Sequence, residues 1–145
     1  MNLFFWLALV SYASAFLIII FFSIAYLSRS DFMPYHSIAV ARPWSEVEPR
    51  MQVLLLALIK VTGWAWLAVA TAGFLLLYLL FWQNGGLEQL IVFQLYCFVA
   101  VTPPIVVACY VRQKTLAPTP IRSGALVVIL TLLGFTFALL SAQFT

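Results

Sequence analysis

MQVLLLALIKVTGWAWLAVATAGFLLLYLLFW, the run from Met51 to Trp82, holds a single formal charge, Lys60. As a helix rising about 1.5 Å per residue it is about 48 Å long, more than the roughly 30 Å hydrocarbon core of a bilayer requires. Working outward, three further apolar runs extend over Leu3 to Leu27, Leu87 to Val111 and Ser123 to Phe144. Each reaches the roughly 20 residues that a helix needs to span a membrane. The expected architecture is an all-α, membrane-embedded four-helix bundle, antiparallel, forming one domain over residues 1–145.

Composition leads to the same class. The chain is 66% hydrophobic and 8% charged, with a mean hydropathy of +1.12. A soluble fold of that composition lacks the polar surface to stay dissolved. The first run has no basic residue before it, outruns the roughly 7–15 apolar residues of a secretory signal, and lacks a small-x-small cleavage site. It is expected to stay as a helix, and no room is left for a second, soluble domain.

The basic residues set the expected orientation. Arg29, Arg42 and Arg50 fall between spans one and two, and Arg112, Lys114 and Arg122 between spans three and four. The N-terminus, the Gln83-Asn84-Gly85-Gly86 turn and the Ala142-Gln143-Phe144-Thr145 end carry no Lys or Arg. Cytoplasmic loops are enriched in these residues, so loops 28–50 and 112–122 are expected inside and both termini outside. The net charge of +3 then belongs to topology and anionic headgroups, and the bilayer, not nucleic acid, is the expected partner. Trp6 and Trp82 would mark the outer interface, and Tyr26, Trp44 and Tyr110 the inner one.

Loop 28–50 is the most varied segment. Pro34 suits the first position of a short interfacial helix and Pro43 would stop it. Phe32, Met33, Ile38, Val40 and Trp44 would face the bundle or the headgroup boundary, with Arg42 in water. Glu46 and Glu48 complement the positive end of a helix opening at Pro49. Tyr35 and His36 suggest an acid-base or metal role, but one histidine and two loop glutamates have no defined ligand spacing.

Within the spans, small residues recur at helical spacing: Ala8, Ser11 and Ala15; Ala65, Ala68 and Ala72; Thr131, Gly134, Ala138 and Ser141. Small side chains let helices approach closely in lipid, and these stripes read as seams. Asn84-Gly85-Gly86 suits a tight reversal, so spans two and three are expected as a hairpin. Thr102-Pro103-Pro104 interrupts span three. A helix-interior proline has no amide proton, so the carbonyls of Val99 and Ala100 lose their helical partners and a kink is expected. Such a break lines a wet cavity or simply helps helices pack, and packing is the favoured reading. Lys60 lies ten residues after Arg50 and Thr102 ten before Arg112, which places them at similar depth. Lys60 either snorkels to headgroups, the favoured reading, or anchors an anionic group beside the break.

Cys97 and Cys109 sit about 18 Å apart along one helix, too far to bridge. No span carries a histidine for haem, and no phosphate loop, nucleophile elbow or zinc motif occurs. No cofactor, metal or catalytic residue is expected.

Phe32-Met33-Pro34-Tyr35-His36, the following Trp44, then Gln52 with Leu55, Ala57 and Leu58, and Gly63 with Trp66-Leu67-Ala68 resemble a group of small bacterial four-span membrane proteins of unassigned function. The likeness covers the first half of the chain and, loosely, Thr102-Pro103-Pro104 to Arg112. It implies a bacterial inner-membrane location and supplies no catalytic residues. The layout is also similar to the membrane-associated glutathione-metabolising family, but that family's polar Arg, Asn and Glu motif on span two is missing where Arg50-Met51-Gln52 runs into Val53-Leu54-Leu55-Leu56.

Two function classes stand open. One is a non-enzymatic component that self-associates or docks on another membrane protein through its small-residue stripes. The other is a membrane enzyme or small transporter acting on a lipophilic or anionic small molecule. The candidate functional residues are Lys60, Tyr35, His36, Thr102, Pro103 and Pro104.

Overall fold

Helix starts follow local chemistry. Asn2 accepts the Phe5 amide proton through Oδ1 at 3.0 Å and opens α1 (Leu3–Leu27). Proline stands at the first position of both α2 (Pro34–Val40) and α3 (Pro49–Trp82), where its missing amide proton costs nothing. The Gln89 side chain accepts from the Gly86 amide at 2.9 Å at the start of α4 (Leu87–Thr115), and α5 covers Ile121–Leu140. A 3-10 turn occupies Trp44–Glu46. The computed structural model describes residues 2–83, 85–141 and 144, and no strand occurs among them.

Helix ends are equally local. Ala41 takes a left-handed φ of 53° that stops α2 before Pro43, and Leu116, with φ 57°, stops α4. Arg112 and Lys114 fall in the last turn of α4, where cations complement exposed carbonyls, so α4 continues past the expected Val111 end. The last run shifts the other way: α5 starts at Ile121 and stops at Leu140, because Ser141 is extended. Gln83 and Gly85 donate to the Leu79 and Leu80 carbonyls to close α3. Asn84 of that turn, and Ala142, Gln143 and Thr145 of the expected outer end, lie outside the described residues.

The helices α1, α3, α4 and α5 are long and apolar enough to cross a membrane. They form an antiparallel ring in which α1 packs along both α3 and α5, α4 lies along α5, and α3 approaches α4 sparsely. Phe5 near the start of α1 meets Phe81 near the end of α3, with ring centroids 5.1 Å apart. At the opposite end Ser23 donates to the Gly63 carbonyl at 2.8 Å. Phe144 closes on Phe81 at 5.5 Å, so the N-terminus, the α3–α4 turn and Phe144 share one end of the bundle. α2 lies at the other end, against α4.

The core is aromatic, set on glycine. A Cβ on Gly73 would lie 2.2 Å from the Phe16 ring, and one on Gly134 would lie 2.7 Å from that of Tyr12. In lipid, where hydrophobic burial drives helix association weakly, such close contact supplies much of the attraction. Two of the three expected seams hold this core. Ala8 and Ala15 are buried with Ser11 half-buried, and Thr131, Gly134, Ala138 and Ser141 are all buried. The α3 stripe is the exception: Ala65 and Ala68 are exposed and Ala72 half-buried. The true α3 seam runs through Ile59, Gly63, Ala70 and Gly73, because glycine admits the α1 rings more closely than alanine does.

The expected aromatic belt divides similarly. Trp6, Trp82 and Tyr110 face outward. Trp44 turns onto the buried Phe32 at 4.7 Å, and Tyr26 turns onto α2.

Candidate functional site

Pro103 and Pro104 leave the Val99 and Ala100 carbonyls without helical donors, yet α4 stays helical through them. Their rings, with Val101 and Ile105, form one wall of a groove of about 560 Å³. Ile19 and Phe22 of α1, Trp66 of α3, and Gly124 and Val127 of α5 supply the facing walls. The volume falls in the roughly 300–1,000 Å³ range of small-molecule sites. The groove lies toward the α2 end of the bundle, and α2 borders it with Tyr35 and His36. Gly124 is needed for shape, since a Cβ there would lie 2.6 Å from Ile105.

Polar atoms are confined to a few positions around this apolar space. The Tyr26 and Tyr35 hydroxyls are hydrogen-bonded to each other, tying α2 to α1. That bond uses one of the two hydroxyl protons, so the pair retains one donor. Burial, followed by the Tyr26 hydrogen bond, pushes the Tyr35 phenol well above its usual range, and it stays protonated. His36 accepts the Met33 amide proton on Nδ1 at 3.3 Å, so the neutral ring carries its proton on Nε2. Burial holds the imidazole below its ordinary pKa and favours that neutral form. Thr62 and Thr119 border the groove but spend their hydroxyl protons on the Leu58 and Ala108 carbonyls, at 2.8 and 3.0 Å.

Of the residues singled out from sequence, Tyr35, His36, Pro103 and Pro104 converge on the groove. Thr102 is exposed on the outside of α4. The Lys60 ammonium donates to the carbonyl of Leu27, the last residue of α1. It thus caps a helix end, which neither the snorkelling nor the anchoring expectation had as its partner. Its residue does not border the groove.

Tyr26, Trp66, Thr62, Thr119 and Gly124 were not singled out as site residues, although Tyr26 was expected at the inner interface and Trp66 belonged to the resemblance. For Trp66 a signal existed: it follows Ile59 and Gly63 and precedes Ala70 and Gly73 at helical spacing, and that phase is the inward one. Tyr26 gave no such signal, because pairing with Tyr35 depends on how the loop folds back.

A second polar contact lies in the core. Tyr12 donates to Gln94 Oε1 at 2.8 Å, and the buried Gln94 Nε2 has no partner. Among the described residues no three His, Cys, Asp or Glu side chains gather as a metal site.

Among the described residues the groove is lined by one imidazole, two phenols, the Trp66 indole and the hydroxyls of Thr62, Thr119 and Ser123, with no carboxylate and no cysteine. It is furnished to hold a molecule through apolar contact and a few hydrogen bonds. Compared with known proteins, the chain matches no family model, no curated protein and no solved structure.

Proposed function

We propose that this chain is a non-enzymatic integral membrane protein that takes a lipophilic molecule into the groove beside Pro103 and Pro104. The observation that carries this reading is a groove of about 560 Å³ with a mainly apolar lining from α1, α3, α4 and α5, bordered by Tyr35 and His36 of α2. A lipophile loses little by leaving the bilayer for such walls, so selectivity rests on fit and on the few hydrogen bonds at one end. Native mass spectrometry of protein extracted in mild detergent tests it. One equivalent of bound lipophile is expected, and Ala108→Phe, which fills the groove, should remove it. Protein that carries no such mass, or a folded Ala108→Phe variant that keeps it, overturns the reading.

A second reading, association with another copy or another membrane protein, draws support from the exposed Ala65 and Ala68 on α3. Small residues on an outward face allow a close helix partner. Cross-linking of Ala68→Cys protein in membranes is its test, and absence of any cross-linked species counts against it.

The same proposal places the chain in a bacterial inner membrane, with loops 28–50 and 112–122 cytoplasmic and both termini outside. The distribution of arginine and lysine and the resemblance to small four-span bacterial proteins support that placement.

A further inference from the structure

Two side chains bordering the groove carry N–H groups that can only donate. His36 accepts from the Met33 amide on Nδ1, so its proton sits on Nε2. Trp66 borders the groove from the middle of α3, and its indole N–H meets no acceptor among the described residues. Thr62, about one helical turn nearer to α2, spends its proton on the Leu58 carbonyl, so Trp66 is the deeper donor. The middle of a spanning helix has no water to take such a proton, and an unmet N–H there is costly.

The hydroxyls leave that demand unchanged. The Tyr26–Tyr35 pair retains one proton after its mutual bond, and Ser123 also borders the groove. A hydroxyl serves a donor or an acceptor equally, whereas an N–H serves an acceptor alone.

The walls are also without formal charge. Among the described residues no Lys, Arg, Asp or Glu borders the groove; Arg112 and Arg122 adjoin groove residues in sequence but are exposed outside it. Burial favours the neutral form of His36. A carboxylate or an ammonium brought between these walls would lose its hydration and meet no opposite charge in return.

From N–H donors that await acceptors and walls that carry no charge, we infer that the groove binds an uncharged lipophile bearing carbonyl oxygens. The carbonyls take the His36 and Trp66 N–H groups, and the hydrocarbon lies along Phe22, Pro103 and Val127. The inference rests on the lipophile reading above and narrows it. Quinone and ester carbonyls share this chemistry, and competition separates them.

The test is equilibrium binding of a fluorescent polyene fatty-acid methyl ester, of the ionised free acid and of the corresponding polyene hydrocarbon to the purified full chain in neutral detergent. The ester is expected to bind about tenfold more tightly than the hydrocarbon, and the acid more weakly than the ester. Trp66→Phe keeps an aromatic wall and removes the N–H, so it should shrink the ester-to-hydrocarbon ratio several-fold while hydrocarbon affinity holds. His36→Leu should shrink the ratio too, and His36→Gln, whose amide can both accept from Met33 and donate, should restore most of it. Thermal melts identify the variants that fold. Displacement of the ester by a decyl-substituted benzoquinone or by a wax ester then assigns the carbonyls to a quinone or to an acyl ester. Equal affinity for ester and hydrocarbon, a parental ratio in folded Trp66→Phe or His36→Leu protein, or displacement by neither competitor overturns the carbonyl assignment and leaves the lipophile reading standing. Acid bound more tightly than ester overturns the uncharged assignment. Absence of binding by all the probes overturns the lipophile reading as well.

Discussion

Lys60 shows what a single side chain does when its charge is set within an apolar run. Its ammonium donates to the Leu27 carbonyl, one of the carbonyls a helix end leaves without an intrahelical donor. Lys60→Leu removes that donor and should lower thermal stability in detergent by about 1 kcal/mol without changing how much lipophile is retained. Loss of the bound lipophile in a folded Lys60→Leu protein would put Lys60 in the site after all. Lys60 was conspicuous in the sequence because of its charge, but its partner was not, since Leu27 is 33 residues away. Tyr12 and Gln94, 82 residues apart, were invisible for the same reason. Nothing local distinguishes a tyrosine whose hydroxyl faces headgroups from one that donates to an amide within the core.

At the scale of elements, α2 was legible and its role was not. Pro34 marked its start, because proline suits a first helical position, while its end came at the left-handed Ala41, two residues before Pro43. What α2 does depends on the Tyr26–Tyr35 bond and on His36, which burial keeps neutral. The sign of the pH effect follows. Below about 6.5 a released His36 takes up a proton that the docked one resists, so the docked state is stabilised above that pH and loses that advantage as pH falls toward the lowered native value. Amide exchange in residues 34–40, corrected for intrinsic rates, should therefore gain less protection at pH 5.5 than at 7.5, and His36→Gln should flatten the difference. Equal protection at the two pH values in the parent would show that imidazole burial has no part in docking α2. Pro103-Pro104 stood out in the sequence too, but α4 runs on as a helix through them, and their rings become part of a groove wall. Helical phase was harder to read: α3 offered both an alanine stripe and a glycine-containing one, and only the latter meets α1.

For the whole molecule, four helices are long and apolar enough to cross a membrane, and the contacts of Phe5, Phe81 and Phe144 bring the start of α1, the end of α3 and Phe144 to one end. If the proposed orientation holds, an N-terminal cysteine tag and one following Thr145 should both react with an impermeant maleimide from the periplasmic side, while Arg42→Cys should not. Reaction in the reverse pattern would invert the proposed orientation. Hydrophobic run length and proline position already specified an all-α bundle of four long apolar helices with a short helix between the first two, because these properties act through the backbone and need no neighbour. Which face of each helix turns inward, why α1 packs along both α3 and α5, and how α3 and α4 stand far enough apart to help frame a groove were decided only in three dimensions. The physical reason is that almost every surface of these helices is apolar, so hydrophobicity cannot choose a face; close contacts such as Phe16 on Gly73 and Tyr12 on Gly134 make that choice.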